Sequence, residues 1–176
     1  MKIKINKDIY LDRIFDSDIP SLVKWCNDPE IYRNTSSFPK EYTEDSAKAF
    51  LEIISKNEKE HGFQQTWGIR WAENGEMIGA IGLLNFAGDP IYKSEFGYWI
   101  AQPYRGKGYT TSVVNGFVDF IVPKFKLIRI FAHVMEHNIA SKKVLEKAGF
   151  VNEALLKNNM QKEGKSINTW LFAKYY

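Results

Sequence analysis

"YWIAQPYRGKGYTTSVV", residues 98–114, runs from apolar residues through a proline to two glycines flanking a lysine, then back to apolar spacing. The order predicts a strand, a loop and the start of a helix. A helix N-terminus leaves backbone N–H groups without intrahelical partners and carries partial positive charge, so a loop entering it is a ready site for a phosphate. Glycines let the backbone come close, and Arg105 and Lys107 can add charge-assisted contacts. Two familiar glycine loops do not fit. The phosphate loop of nucleotide hydrolases requires Gly-x-x-x-x-Gly-Lys-Ser/Thr, whereas Lys107 is followed by Gly108 and no glycine stands at the earlier position. A dinucleotide fingerprint requires a third glycine near Thr111 and an acid about 20 residues on, at the end of a second parallel strand, and both are missing. The other reading is a glycine turn without a ligand, and this stretch alone leaves both open.

The flanking sequence continues the alternation of strands and helices. Residues 63–72, 76–87 and 94–101 read as three strands, the first two joined by "ENG" at 73–75, whose Asn-Gly pair favours a tight hairpin. Upstream, "IYLDRIF" (9–15) reads as a strand and "SDIPSLVKWCNDPE" (17–30) as a helix with an Asp or Ser cap that closes before Pro29. Residues 43–62 place Ala47, Phe50, Leu51 and Ile54 at helical spacing, with an acidic first turn and Gly62 at the end. Downstream, residues 110–125 put Val113, Val114, Phe117 and Ile121 on one helical face, with a stop near Pro123. Residues 127–134 form another strand and 138–150 a short helix. The last strand, 169–176, is reached through the polar stretch 158–168.

Composition narrows the class. A chain of 176 residues with 44% hydrophobic content suits a single domain, 1–176. The 24 Lys and Arg are scattered against 21 Asp and Glu, which gives no nucleic-acid or polybasic membrane signal but suits an anionic ligand. Cys26 is the only cysteine, and the N-terminal residues hold no apolar run long enough for a signal peptide or spanning helix, so the expected location is cytoplasmic. Cys26 reads as a small buried hydrophobe, because "VKWCNDP" offers no activating neighbour. His61, His133 and His137 lack metal-ligand spacing, and no metal is expected.

A second motif follows the glycine loop after one strand. In "EHNIASKKVLEKAGF", Asn138 is a good N-cap, Ser141 stands three residues on, Val144, Leu145 and Ala148 make a stripe, and Gly149 suits a helix stop. A glycine loop entering one helix, followed by an Asn-x-x-Ser helix start, resembles the GNAT superfamily of acyl-CoA N-acyltransferases. The resemblance extends from "LDRIFDSDIPSLVKWCNDPEI" to "NIASKKVLEKAGFVNEALLK" and is nearest to the branch with ribosomal-protein N-terminal acetyltransferases. It implies an α/β (α+β) fold with a mixed, mostly antiparallel central sheet of six to seven strands and about four helices. It also implies acetyl-CoA as cosubstrate. In the family loop, Gln/Arg-x-x-Gly-x-Gly/Ala, Arg105 and Gly108 match, whereas Thr110 stands in place of the small residue and Ser112 where this branch often has Glu. The family arrangement puts the pyrophosphate on the amides of Arg105, Gly106, Lys107, Gly108, Tyr109 and Thr110. Asn138 reaches the pantetheine arm.

Acetyl transfer to an amine demands a neutral nucleophile, a stabilised oxyanion and a protonated thiol. A free α-amino group titrates at about 7.7–8.0 and a lysine at about 10.4, so a base, direct or through water, helps most with the stronger amine. Glu95, two residues before Gly97, is the candidate; its structural alternative is a solvated strand carboxylate. Glu136 and Glu153 are secondary candidates. The family's oxyanion donor is a backbone N–H on this strand, which implies the amides of Trp99 and Ile100. Ser141 is the candidate acid, by resemblance to the nearest branch, against a first-turn hydroxyl that bonds its own backbone. Other members use a tyrosine after that helix, where Phe150 stands here. Trp25, Tyr32, Phe38 and Trp67 are candidate walls of an acceptor pocket or core residues. The expected acceptor is a protein N-terminus or a small-molecule amine, and this branch commonly forms homodimers. The alternative function is a non-catalytic acyl-CoA sensor of the same fold.

Overall fold

Continuous and alternating apolar runs form the strands that they predict. The computed structural model describes residues 2–87 and 91–176. The elements are β1 (Ile3–Lys4), β2 (Ile9–Asp12), α1 (Ile19–Cys26), α2 (Pro29–Asn34), α3 (Glu44–His61), β3 (Thr66–Trp71), β4 (Met77–Ala87), β5 (Lys93–Ile100), α4 (Tyr109–Phe125), β6 (Arg129–Met135), α5 (Ile139–Lys147), β7 (Val151–Lys162) and β8 (Lys165–Tyr175). The strands form one sheet in the order β1-β2-β3-β4-β5-β6-β8-β7. Its described ladders are antiparallel, except that β5 runs parallel to β6 through the pairs Lys93–Arg129, Ser94–Ile130 and Glu95–Phe131. The fold is the expected mixed type, with eight strands among the described residues rather than six or seven and five helices rather than about four.

Two compact units are distinguished: residues up to Gly82 with Tyr98–Tyr109, and Leu83–Gly97 with Thr110–Tyr176. In the first, Leu22, Cys26, Ile31, Tyr42, Ala47, Met77, Ala80 and Trp99 form a buried cluster. Thr43 caps α3, its hydroxyl accepting from the Ser46 N–H, and Gly62 ends it at φ 74°. Such a conformation suits a residue without a Cβ. Backbone contact is also close at Gly79, where a Cβ would stand 2.4 Å from the Trp99 carbonyl oxygen. In the second unit, Val113, Val114, Phe117 and Ile121 of α4 are fully buried, as their spacing predicts. Phe96 packs its ring 6.3 Å from Phe117 and 5.4 Å from Phe150.

Two short elements, α2 and β1, add to those expected, and one stretch is corrected. The first helix does close before Pro29, but α2 begins at once: Asp28 accepts from the Glu30 N–H and Pro29 fills the first position, where a missing donor does no harm. Helix α4 ends at Phe125, just past Pro123 as expected, since a proline in the last turn removes only one bond. Strand β1, only two residues long, carried no readable periodicity. The polar stretch 158–168 is a hairpin, β7 turning into β8 through Glu163 and Gly164, both at positive φ (50° and 73°), as a two-residue turn of this hand requires. Among the described residues no helix is long and apolar enough to cross a membrane.

Candidate active site

The glycine loop has the conformation that its sequence demands. Gly106 and Gly108 sit at φ 73° and 82°, and a Cβ at either would meet nothing within 4 Å. Both glycines are therefore required by backbone conformation rather than crowding, and the space before them is open to a ligand. Helix α4 begins regularly at Tyr109, so Thr110 lies inside its first turn and adds one of its unpaired amides. The loop is held at both ends. Trp71 packs against Tyr104 at 5.1 Å and Tyr109 at 5.5 Å between ring centroids.

Arg105 departs from the expected phosphate-facing cation. Its Nε donates to the Ile100 carbonyl at 2.9 Å, and its guanidinium pairs with Asp28 at 2.6 Å and Glu30 at 3.0 Å. Asp28 thereby caps α2 with one oxygen and holds the loop with the other. These residues line a cavity of about 340 Å³ with Lys24, Trp25 and Gln102. Lys107 is exposed and makes no ion pair among the described residues. Trp99 and Ile100 are buried, so their main chain is what they can offer a ligand.

In the second unit, Asn138 caps α5 as predicted, its Oδ1 accepting from the Ser141 N–H at 3.1 Å. That bond uses the oxygen and leaves the side-chain NH₂ for other partners. Ser141 is half-buried in the first turn.

Glu95 is not a solvated carboxylate. Its residue is 8% exposed, His133 donates from Nδ1 to Oε1 at 2.7 Å, and Asn85 donates from Nδ2 to Oε2 at 2.6 Å. Burial works to raise its pKa, but the hydrogen bonds from His133 and Asn85, with the charge of His133, outweigh burial and hold the carboxyl below its ordinary range. Glu153 is gripped by both guanidinium nitrogens of Arg129, which lowers its pKa, and Glu136 accepts from Asn168 at 2.9 Å. His133 and Asn85 escaped the sequence reading, because their proximity depends on strand register. Asp28 and Glu30 did carry a signal: Asp-Pro-Glu is a helix-start pattern.

Of the aromatic candidates, Trp67 is core at 2% exposure. Phe38 packs on Tyr42 and Trp99, Trp25 lines the cavity and donates to Glu76, and Tyr32 is half-buried. Cys26 is buried, which pushes its thiol pKa far up and leaves it inert. Among the described residues no group of His, Cys, Asp or Glu is placed to hold a metal.

The model of the acetyltransferase (GNAT) domain family matches residues 8–151. The probable N-acetyltransferase YjcK of Bacillus subtilis (strain 168) is 33% identical over 115 residues, 65% of this chain; the match spans 61% of YjcK. The uncharacterized N-acetyltransferase p20 of Bacillus licheniformis is 28% identical over 159 residues, 90% of this chain and 86% of its own. The structure of RimL, a ribosomal L7/L12 alpha-N-protein acetyltransferase in complex with coenzyme A, superposes with a TM-score of 0.87 at 15% identity, covering 99% of this chain and 98% of that one.

Proposed function

Since the chain belongs to the GNAT acetyltransferase family, we propose that it moves an acetyl group from acetyl-CoA to a primary amine by direct attack in a ternary complex. The glycine loop is the observation that carries this reading: two left-handed glycines with open space before them, followed at once by the amides of a helix start. Residues 1–176 are taken as one domain, because the matched segment runs through both compact units.

The roles follow from the chemistry of each residue. The amides of Gly106 to Thr110 hold the pyrophosphate, the Arg105 N–H being engaged by the Gln102 carbonyl at 3.1 Å, and the NH₂ of Asn138 bonds the pantetheine arm. Acetyl-CoA, when bound, supplies the thioester carbon that the amine attacks. The main-chain N–H groups of Trp99 and Ile100 are the proposed oxyanion donors, and one such donor is worth about 3 kcal/mol of barrier. The Ser141 hydroxyl relays a proton to the departing sulfur, while Glu95 serves deprotonation of the amine. The proposed acceptor is a protein N-terminal α-amino group, supported by the name of RimL, with a small-molecule amine as the competing outcome. The named N-acetyltransferases do not favour a non-catalytic sensor. A protein acceptor of this kind puts the reaction in the cytoplasm, and the protein works there as a homodimer, which sedimentation tests.

Thermal shift with millimolar acetyl-CoA tests cofactor binding: at 100 times Kd the stabilisation is about 2.7 kcal/mol. An unmoved melting temperature would sink the proposal. Thiol release over α-amino peptides, polyamines and aminoglycosides then identifies the acceptor class.

A further inference from the structure

We propose that His133 takes the proton from the acceptor amine and that Glu95 acts through it as a positioning carboxylate; this rests on the acetyltransferase reading above. Both oxygens of Glu95 accept hydrogen bonds, Oε1 from His133 and Oε2 from Asn85. An ionised carboxylate can only accept, so Nδ1 carries a proton, and in the neutral imidazole the lone pair is on Nε2. Among the described residues Nε2 has no recorded partner. The Phe131 ring stands at 90° to the imidazole with centroids 5.8 Å apart, a second constraint on its plane. The His133 side chain is 19% exposed, so the ring is shielded without being sealed. Along β6, Arg129, Phe131 and His133 alternate with the buried Ile130, Ala132 and Val134, which puts the histidine on the more open face.

This is the arrangement in which a carboxylate fixes an imidazole tautomer and stabilises the imidazolium that forms. Glu95 by itself is a poorer base, because its lone pairs are engaged and it is held ionised. The charged surroundings of His133 are few. From β5 Glu95 bonds it, with Lys93 two residues before; from β4 the neutral Asn85 bonds the same carboxylate; opposite it on β8 is Leu171; on its own strand Arg129 is engaged by Glu153.

In the proposed step the protonated amine gives one proton to Nε2. The free amine then attacks the thioester carbon, forming C–N. The tetrahedral adduct collapses with cleavage of C–S, and the second nitrogen proton passes to the departing sulfur through Ser141. His133 finally releases its proton to water, so amide, thiol and one proton are produced.

Two measurements on the full chain test this. ¹⁵N imidazole NMR, with His133→Gln to assign the resonance among three histidines, should show the proton on Nδ1. Glu95→Gln should move it to Nε2, because Asn85 will hold the new amide's oxygen and turn its NH₂ towards Nδ1. A wild-type proton on Nε2 overturns the proposal. In thiol-release assays from pH 5.5 to 9.5, with N-terminal α-amino peptides, spermidine and kanamycin as probes, His133→Gln should lower kcat/KM for the amine by about 10²–10⁴-fold. It should also abolish the acid limb, while KM for acetyl-CoA changes less than threefold. A variant within threefold of wild type, or one that keeps the acid limb, overturns it. If no probe releases thiol, the acetyltransferase reading falls and the role of His133 with it, whereas the tautomer still reports whether the dyad forms.

Discussion

Alanine at Gly108 separates the phosphate role of the loop from its conformational demand, because a matched control exists in the same chain. Gly108 and Gly62 have φ of 82° and 74°, and a Cβ at either would meet nothing within 4 Å. The native strain of alanine should therefore be the same at both, about 1–2 kcal/mol for a left-handed residue. Restriction of the unfolded chain returns about 0.4–1 kcal/mol, so each variant should lose about 1 kcal/mol net. For a domain of this size that is about 2–4 °C of melting temperature. Gly62 closes α3, its N–H donating to the Glu58 carbonyl, whereas Gly108 stands immediately before α4. At Gly108 the new methyl occupies the open space in front of the loop, and loss of a single amide–phosphate bond, about 1.5–3 kcal/mol, weakens CoA at least about tenfold. Calorimetric titration of CoA into Gly108→Ala and Gly62→Ala, alongside melts, measures both quantities. Equal CoA affinity in the two variants would refute the assignment of the loop.

Ser141→Ala should lose most turnover in the thiol-release assay while its CoA affinity stays within about twofold; an unchanged rate removes Ser141 from the mechanism. Asp18→Ala should cost about 3–5 kcal/mol in urea unfolding, because it strands the Arg70 guanidinium, which is 8% exposed and bonds both Asp18 oxygens at 2.7 and 2.8 Å. Glu95 has a folded pKa below its unfolded value of about 4.3, so its contribution to stability is present above that value and fades as pH falls through the folded one. Urea midpoints between pH 7 and 3 should thus fall less steeply in Glu95→Gln than in wild type, and equal slopes would contradict the shift. Arg105→Lys keeps the charge but cannot hold Ile100, Asp28 and Glu30 together, so it should weaken CoA about as much as Arg105→Gln; full affinity in the lysine variant would show that charge alone matters.

The chain disclosed its strand-loop-helix core because local signals there agree with the tertiary outcome. Gly62, Asn138 and Gly149 are helix-end residues read singly, and the stripe of α4 is a period that packing merely uses. Strand β7 was hidden for the opposite reason: exposed along much of its length, it has no apolar alternation, and its place is set by the ladder to β8. Glu95 was found through its position beside Gly97, but not its partners. Asn85 and His133 lie 10 and 38 residues away, and only sheet pairing, with Glu95 opposite Phe131, brings them to one carboxylate. That pairing replaces the lone carboxylate expected from the sequence with one hydrogen-bonded to an imidazole and an amide.

The environment of Arg105 likewise moves the weight of cofactor binding from charge to shape. One guanidinium between two carboxylates leaves the cluster with net negative charge, unfavourable to a pyrophosphate. Through water, repulsion between two unit charges is worth about 1 kcal/mol at most once they are beyond direct contact, however, and salt screens it further. Each amide–phosphate bond is worth about 1.5–3 kcal/mol, so correct aim of even two amides exceeds the repulsion several times over. Arg105 supplies that aim by tying the loop to the end of β5 through the Ile100 carbonyl and to the start of α2 through Asp28. Lys107 is exposed at the tip between the two glycines, so in the proposed site the arginine would set the loop's geometry and the lysine would supply the charge.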